Sequence, residues 1–534
     1  MNTAIFQRVC FLGLLLISLG LTANQAPTAN QAPTDDDVTA YGATGNGSTD
    51  DTAAINNAIA ALVPGDILLF PCGTYKTTSQ LTINTSNVTV DGGGCATIYN
   101  IASGTVMVIG GAGNGNPNYG PAAALSATAN ELGTSFTTDS SLGVTGGDYV
   151  RLQQGGKDSS TGSGDTGCDP FGCRGETVKV ASVSGNTIMV TTALHDTYSL
   201  ANAATAKKIL SPLTYVTVKN ITFDGSGSNV YGLAVAGVAE STVSGVTSRN
   251  VQGAAIINRG NFNVAWSNIT VTGAGSAQCG SAVWFENQGN FSVNGMSISN
   301  ENPGAPWTGC LYNGAFGFGL IGSANGTIDN LTVDAAGAYG RPFKTAAARW
   351  ITFNSLTVKN GVQAYNGISL EYYSSHNTFN DCVVTNNGAG TGIGTGNAGI
   401  NSFGNFNQYN TFNNCTVVGN GNVQFMVGNW DALGLGADSN VTIDGGTYTG
   451  TDTVQPVIAI IGAKAYVTSA NINGQWGLGG LYLGSINACV NNNTFGAGTG
   501  SSVGILSNSN TNIGSGNVTN GYGSNLTPGT CTAP

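Results

Sequence analysis

The chain has 534 residues, of which 41% are hydrophobic, only 8% are charged and 81 are glycine. This apolar content is too high for a disordered low-complexity polymer, so the sequence predicts a folded protein with an uncharged polar surface. The 16 basic residues against 27 acidic ones give a net charge of −11. That balance offers no basic patch and argues against a nucleic-acid partner.

The N-terminus has the pattern of an exported protein. Arg8 precedes the apolar run VCFLGLLLISLGL, which is too short to span a bilayer, and residues 1–23 are therefore predicted to be a secretory signal peptide. Residues 24–36 repeat a polar, Pro-containing phrase and are predicted to be a linker. No later run is apolar enough for membrane insertion, so the expected location is secreted, periplasmic or at the cell surface.

The segment GSTDDTAAINNAIAAL predicts an amphipathic helix. Thr49 or Asp50 is placed to cap it, and Ile55, Ile59 and Leu62 form its apolar stripe. A repeat protein has to cover the open end of its core, so residues 37–109 are predicted to form an N-terminal cap and the first coils of a solenoid.

Residues 110–212 predict a β-rich insertion. They contain GDYVRLQQ and the hairpin-like ETVKVASVSGNTIMVTTAL. Asp158, Asp165 and Asp169 make one loop of this region a candidate calcium site, although their spacing matches no known calcium loop and a solvated polar loop is the alternative. No other metal or cofactor is predicted.

Residues 213–534 are built from recurring phrases. The stretch HNTFNDCVVTNNG at His376 returns as YNTFNNCTVVGNG at Tyr409. Each phrase contains an Asn, Gly, Ser or Asp followed by alternating apolar and polar residues, and these starts lie roughly 23 to 35 residues apart. Three short strands per period bury a core only when copies stack. The fold prediction is therefore all-β, a right-handed parallel β-helix of about twelve coils; a leucine-rich solenoid would need a helical half that is missing.

Stacking of the coils would bring equivalent cysteine and asparagine side chains next to each other. Adjacent coils would place Cys382 and Cys415 within the Cα separation of about 4.4 to 6.8 Å that a disulfide needs. Asn377 and Asn410 would form a side-chain amide ladder. Ten cysteines remain after Cys10 of the signal peptide, and an even set in an exported chain favours disulfides over zinc. Neighbour pairing gives the hypothetical bridges Cys72–Cys95, Cys168–Cys173, Cys279–Cys310, Cys382–Cys415 and Cys489–Cys531.

The stretch from Asp37 to Gly94 resembles a known family. DVTAYGATGNGSTDDTAAINNAIAAL, PGDILLFPCGTYKTTSQLTI and NVTVDGGG are similar to the start of the pectate lyase superfamily, specifically its rhamnogalacturonase/epimerase-like β-helix domain. The resemblance implies a secreted right-handed β-helix that binds or acts on polysaccharide. It leaves the reaction open, because the superfamily includes lyases, hydrolases, epimerases and phage tailspikes. The Asn-Thr-Asp, Gly-His-Gly and Arg-x-Lys motifs of its polygalacturonase branch are absent.

Sparse charges mark one face of the predicted coils. Counting back from the repeat starts puts Phe285, Phe343 and Leu370 at equivalent inward positions. The next residues along the chain should then point outward on one face; they are Glu286, Lys344 and Glu371.

Arg349 and His376 also fall at equivalent positions, one coil apart. The predicted catalytic residues are Glu286, Lys344, Arg349, Glu371, Tyr373 and His376. Lys344 or Arg349 would neutralise a uronate carboxylate, and Tyr373, His376 or Glu371 would act as base or acid. The structural alternative is an ion pair of Lys344 with Glu371, contributing about 0 to 1 kcal/mol, with His376 merely ending a strand.

Aromatic side chains at predicted turns are the candidate sugar-binding residues, because sugar rings pack on aromatic faces. They are Trp284, Trp307, Tyr372 and Trp430. The alternative is that the loops fold these rings back against the solenoid.

Together these features favour an enzyme that cleaves or modifies an acidic polysaccharide. A lyase or epimerase is favoured over a hydrolase because carboxylate pairs are scarce. A non-catalytic carbohydrate-binding or adhesin-like surface module is the alternative, and a self-assembling structural protein is the third candidate.

Overall fold

We describe the protein from a computed structural model. The described residues are 35–111, 115–155, 174–226, 230–275, 281–299, 316–335, 341–361, 366–388, 398–403, 407–428, 440–450, 455–461, 464–474, 480–484, 488–496, 504–507, 512–513 and 516–519. The predicted signal peptide and the predicted calcium loop lie outside these residues.

The chain winds into the predicted parallel β-helix. One wall is a parallel sheet of 13 strands in the described part of the chain, each paired with its counterpart one coil away. These strands are Leu81–Ile83, Gly104–Gly110, Val230–Ala236, Ile256–Arg259, Val283–Glu286, Phe316–Ile321, Arg341–Ala346, Asn366–Glu371, Ala398–Phe403, Val423–Val427, Ile458–Ile461, Leu481–Gly484 and Ile505–Ser507.

The remaining walls form a second parallel sheet, which bends at a corner within each coil and has 26 strands among the described residues. Its strands are Asp35–Asp37, Asn46–Asp50, Ile67–Leu69, Gly73–Thr77, Thr89–Asn100, Leu213–Thr214, Thr217–Asp224, Val238–Ser244, Thr247–Val251, Phe262–Ala274, Gly289–Ser299, Ala324–Asp334, Arg349–Asn354, Thr357–Lys359, Thr378–Asn380, Val383–Thr385, Asn410–Asn413, Thr416–Val418, Val441–Asp444, Thr447–Thr449, Ala465–Thr468, Asn471–Asn473, Ala488–Asn491, Thr494–Gly496, Asn512–Ile513 and Val518–Thr519.

The repeated Asn, Gly, Ser or Asp of the sequence marks this corner. In the first eleven predicted coil starts this residue has a left-handed backbone, for example φ 53° at Asp381 and 54° at Asn414. Asn, Asp and Gly tolerate that conformation better than other residues, so the fold selects them there. In the last coil Gly516, one residue after the predicted start, has φ 81°.

The core is filled by matching side chains from successive coils. The rings of Phe353, Phe379 and Phe412 stack at centroid distances of 4.4 and 4.8 Å. The amide of Asn377 donates to Asn410 Oδ1 at 3.1 Å, which confirms the predicted ladder. A ladder of buried amides provides hydrogen-bond partners for polar groups that the turn would otherwise leave buried and unpaired.

Two of the predicted disulfides are present. Cys382 and Cys415 are bonded across adjacent coils with Cα atoms 4.4 Å apart, and Cys72 is bonded to Cys95. The other three predicted pairs each include a cysteine outside the described residues.

The N-terminal end is covered by the helix Thr52–Ala61. Ile55 and Leu62 are buried and Ile59 packs partly buried against the core, as the apolar stripe predicts. Asp50 Oδ1 accepts the Thr52 N–H at 3.1 Å, whereas Asp51, which directly precedes the helix, binds the Thr44 N–H instead. Within the described part of the chain, no helix is both long and apolar enough to cross a membrane.

Residues 115–155 and 174–210 form a separate antiparallel sheet, called the insertion below. Its strands are Tyr119–Ala124, Ser135–Thr137, Tyr149–Gln154, Arg174–Ser184, Thr187–Val190 and Thr205–Ile209. Short 3-10 helices occur at Val38–Tyr41 and Leu200–Asn202. The insertion lies against the solenoid: Thr177 Oγ1 donates to the Asn287 carbonyl at 2.7 Å, and Lys179 pairs with Glu240 at 2.7 Å. It therefore covers part of the face on which the candidate catalytic residues lie.

Candidate functional site

The 13-stranded sheet aligns two of the predicted acids. Glu286, Ile321, Ala346 and Glu371 occupy one register position in successive strands, so Glu286 lies three coils before Glu371. Lys344 belongs to a different row: it pairs with Ser369 rather than with Glu371.

The expected equivalence of Phe343 with Leu370 is therefore wrong by two residues, because Phe343 pairs with Ile368. A two-residue offset keeps a side chain on the same face of a strand, so Lys344 and Glu371 still meet. Lys344 Nζ lies 3.0 Å from Glu371 Oε2, and Arg341 Nη1 lies 2.6 Å from Glu371 Oε1. Lys344 is 1% exposed and Glu371 is 2% exposed, so this is a buried ion cluster and not a surface pair.

A second register correction reveals an aromatic stack. Arg349 aligns with Ser375, not with His376. The residues in line with His376 are Trp350 before it and Tyr409 after it. The His376 ring stacks on Trp350 at 4.4 Å and on Tyr409 at 4.8 Å. All three lie where the chain passes from the 13-stranded sheet into the second sheet, and all have a left-handed backbone with φ between 54° and 56°.

The insertion supplies the counter-charge of Arg349. Asp196 accepts two bonds from Arg174, with Nη2–Oδ1 at 2.6 Å and Nε–Oδ2 at 3.1 Å, and it lies 3.2 Å from Arg349 Nη1. The Arg174 guanidinium also lies over the Tyr373 ring, 4.3 Å from its centroid. Arg349 is 3% exposed, and its Nη2 has no hydrogen-bond partner among the described residues.

Glu131 of the insertion reaches the aromatic stack. Trp350 Nε1 donates to Glu131 Oε1 at 2.8 Å, and His376 Nδ1 lies 3.5 Å from the same oxygen. The Glu131 side chain is 31% exposed and that of His376 is 24% exposed, so solvent reaches this pair. We call this contact between the insertion and the solenoid the seam. The insertion contributes Glu131, Arg174 and Asp196, and the solenoid contributes Arg349, Trp350, Tyr373 and His376.

The electrostatics of the seam follow from burial. Burial lowers the pKa of His376 below its ordinary 6.5; Glu131 opposes that shift and Arg349 adds to it. Burial raises the pKa of Asp196, but Arg349 and Arg174 outweigh it, so the carboxyl titrates below its ordinary 3.8. His376 is therefore neutral and Asp196 ionised at neutral pH.

The other histidine of the chain, His195, also lies against Trp350. His195 is edge-on to Trp350 at 6.3 Å, and its Nδ1 lies 2.9 Å from Glu176 Oε2. Tyr198 also donates to Glu176, at 3.1 Å, and burial raises the pKa of that phenol. Glu176, His195 and Tyr198 therefore form a buried, hydrogen-bonded group within the insertion, beside the seam.

A second charged cluster surrounds Glu286. Arg259 Nε lies 3.0 Å from Glu286 Oε2, and its guanidinium lies 5.3 Å from the Trp284 ring centroid. Trp284 and Tyr372 are half-buried and pack with Ile321 and Ala346 between the two clusters. Trp307 and Trp430 lie outside the described residues.

The spacing of Glu286 and Glu371 bears on hydrolysis. Three coils at a strand spacing of about 4.8 Å separate them by about 14 Å. Catalytic carboxyl pairs of glycosidases lie about 5 to 9.5 Å apart. These two acids therefore do not form a hydrolytic pair. In the described part of the chain, no group of three or more His, Cys, Asp or Glu side chains is arranged to hold a metal ion.

Sequence reasoning missed Glu131, Arg174, Asp196, Arg341 and Trp350. Glu131, Arg174 and Asp196 precede their solenoid partners by more than one hundred positions, and no local spacing connects them. Trp350 follows Arg349 directly, so a count shifted by one residue would have found it.

Comparison with known proteins agrees with this fold. Residues 37–282 match the family described as rhamnogalacturonase A/epimerase, pectate lyase-like. No curated protein matches the chain by sequence.

Three solved structures illustrate the similarity. The tailspike protein gp49 of Pseudomonas phage LKA1 is 14% identical with a TM-score of 0.52, over 90% of this chain and 81% of the tailspike. The A-module of the Azotobacter vinelandii mannuronan C-5 epimerase AlgE6 is 12% identical with a TM-score of 0.49, over 91% of this chain and 99% of the module. The gp54 tailspike of Acinetobacter baumannii bacteriophage AP22, solved with a capsular saccharide, is 11% identical with a TM-score of 0.42, over 90% of this chain and 79% of the tailspike.

Proposed function

Because residues 37–282 match the rhamnogalacturonase A/epimerase, pectate lyase-like family and the chain winds into a right-handed β-helix, we propose that it binds an acidic polysaccharide at the seam and modifies a uronate there. The observation that carries this proposal is a concentration of charged side chains at the seam and beside it, in a chain of which only 8% is charged. Four cations lie there, namely Arg174, Arg341, Lys344 and Arg349, and they pair with Asp196 and Glu371. Glu131 and Glu176 are two further carboxylates in the same place.

The cations of this cluster suit the chemistry of a uronate. Removal of the proton at C5 leaves negative charge on the sugar carboxylate, and fixed cations in a site of low dielectric stabilise that charge. Lys344 and Arg349 are buried, so they contribute through their field. Arg341 and Arg174 have side chains 21% and 13% exposed and are nearer to solvent.

His376 is the best placed base among the predicted residues. It is neutral at neutral pH and partly exposed. In an elimination, the C5 proton moves to the imidazole, the C–H electrons form the C4=C5 bond, and the C4–O bond breaks as its oxygen takes a proton. In an epimerisation, C5 regains a proton on the opposite face. Glu371 is a poorer base because it already pairs with two cations.

The test uses purified protein and a panel of uronate polysaccharides. Elimination is followed by the ultraviolet absorbance of the unsaturated uronate, and epimerisation by deuterium uptake at C5 in D2O, read by NMR. His376→Gln is expected to lower either rate by about 10²-fold or more. Asn325 is in line with His376 two coils earlier, so Asn325→Gln is the matched control and is expected to keep the wild-type rate.

Non-catalytic binding is the second candidate function, and burial favours it. Lys344, Arg349 and Glu371 are each at most 3% exposed and already paired, so they do not contact a ligand directly. Saturable binding of a uronate polysaccharide without unsaturated product, deuterium uptake or new reducing ends would select this function.

Export is part of the proposal. Disulfides such as Cys382–Cys415 persist in oxidising compartments. Together with the N-terminal apolar run, they support a secreted or surface location. Cell fractionation with detection of a chain lacking residues 1–23 tests it.

A further inference from the structure

We infer that Glu131, which the insertion contributes, positions His376, so that the site is complete only when the insertion and the solenoid are in contact. This inference rests on the proposed function in so far as His376 acts as a base. Glu131 is a positioning residue in this scheme, because it acts through the imidazole.

The geometry restrains His376 on three sides. Trp350 and Tyr409 cover its two ring faces, at 4.4 and 4.8 Å. The ring edge at Nδ1 faces Glu131 Oε1 at 3.5 Å. Glu131 is itself held, because Trp350 Nε1 donates to the same oxygen at 2.8 Å.

This arrangement selects one tautomer of the neutral imidazole. A carboxylate oxygen only accepts, so it favours the form with the proton on Nδ1 and the lone pair on Nε2. His376 Nδ1 has no hydrogen-bond partner within 3.5 Å and acceptable geometry among the described residues, so the Glu131 carboxylate is the acceptor nearest to making this bond. Catalytic hydrogen bonds that are long without substrate commonly shorten when it binds.

Glu131 also balances the charge of the proton-transfer step. When Nε2 takes the C5 proton, His376 becomes an imidazolium next to the Glu131 carboxylate. The charged groups that act on the ring are Glu131, which favours the imidazolium, and Arg349, which opposes it. Loss of the Glu131 charge therefore weakens His376 as a proton acceptor.

The chain offers a direct measurement, because it contains only two histidines. Nitrogen-15 NMR of the full chain resolves the tautomer and titration of each ring, and His195 serves as the internal control. Glu131→Gln keeps an oxygen that accepts from Trp350 and removes only the charge. Asp139→Asn, in an exposed turn of the insertion, is the matched control.

The wild-type His376 is expected to carry its proton on Nδ1. In Glu131→Gln the tautomers mix, the titration of His376 moves to lower pH and that of His195 does not. The turnover rate falls by about tenfold or more while polysaccharide affinity stays within about twofold. Glu131→Asp recovers part of the rate.

Two different failures are distinguishable. An unchanged tautomer and titration of His376 in Glu131→Gln overturn the pairing itself. If Glu131→Gln changes the tautomer but the chain turns over no uronate polysaccharide, the proposed function is overturned, and with it the catalytic role of the Glu131–His376 pair.

Discussion

Replacing Asp196 by Asn is expected to loosen the insertion from the solenoid. Asp196 is 6% exposed and accepts from Arg174 and Gln154 while pairing with Arg349. Asparagine of the same shape presents a neutral group to two guanidinium ions. Because Arg349 is 3% exposed, its charge is left in the interior without this carboxylate.

The cost of breaking a buried ion pair by removing one partner is about 3–5 kcal/mol. Asp148→Asn is the matched control in the same sheet. Its carboxylate pairs with Lys208 at 2.8 Å, but the two side chains are 21% and 25% exposed. A solvated pair of this kind contributes about 0–1 kcal/mol.

The pH dependence gives the prediction a second signature. The pKa of Asp196 is lowered in the folded state, so its stabilising effect is present above the ordinary value of 3.8 and is lost as the pH falls through the lower folded value. The difference between wild type and Asp196→Asn should therefore be full at neutral pH and shrink in acid.

Urea unfolding and limited proteolysis of the insertion measure the effect. We expect Asp196→Asn to lower the unfolding midpoint and to speed cleavage within the insertion well before the solenoid unfolds. Adding Arg349→Gln should return part of the loss, since it removes the unpaired charge. Equal costs for Asp196→Asn and Asp148→Asn would refute the reasoning.

Four further predictions concern the disulfide, core and corner of the solenoid and the pH dependence of His376. Replacing Cys382 and Cys415 together by Ser should lower unfolding stability by about 3–4 kcal/mol in urea, because the bond closes a long loop; an unchanged midpoint would contradict this. Phe379→Ala should lower the free energy of unfolding in urea by about 3–5 kcal/mol, because it opens the ring stack, and Phe379→Leu should lower it far less. Asn414→Ala should lower the free energy of unfolding in thermal melts by about 1–2 kcal/mol because of the positive φ at this position, and Asn414→Gly should lower it less. Since the pKa of His376 is lowered from 6.5, activity should persist below that pH and fall only in more acidic buffer, which a pH–rate profile would test.

The sequence was most informative where the backbone constrains residue type. The corner in each coil needs a left-handed residue, so Asp381 and Asn414 stand in line and mark the period. The period then predicts that Cys382 and Cys415 meet, and the structure places them in a bond. Core residues repeat because each coil presents the same space to the next.

Side-chain rows were predicted less well. The connection that follows the 13-stranded sheet differs in length between coils, since Ala346 pairs with Glu371, 25 residues later, and Arg349 with Ser375, 26 residues later. Counting back from a corner crosses this connection, and it misplaced Phe343 by two residues and Arg349 by one. The contacts with Glu131 and Asp196 were out of reach. They join a separately folded sheet to the solenoid, and no periodicity relates the two.

The uneven length of the coils has a consequence for how such a chain changes over generations. At Ser355 and at Asp381 the corner takes two residues between strands, and the strand pairing on either side fixes that length. The connection to the 13-stranded sheet varies widely, from residues 419–422 after one strand to residues 386–397 after another. Near the start of these two connections, Asn387 and Asn420 are buried, and Asn387 Nδ2 donates to Asn420 Oδ1 at 3.0 Å. Beyond that ladder, lengthening or shortening the connection shifts no strand pairing. We therefore expect insertions and deletions to be tolerated best at this edge of the molecule.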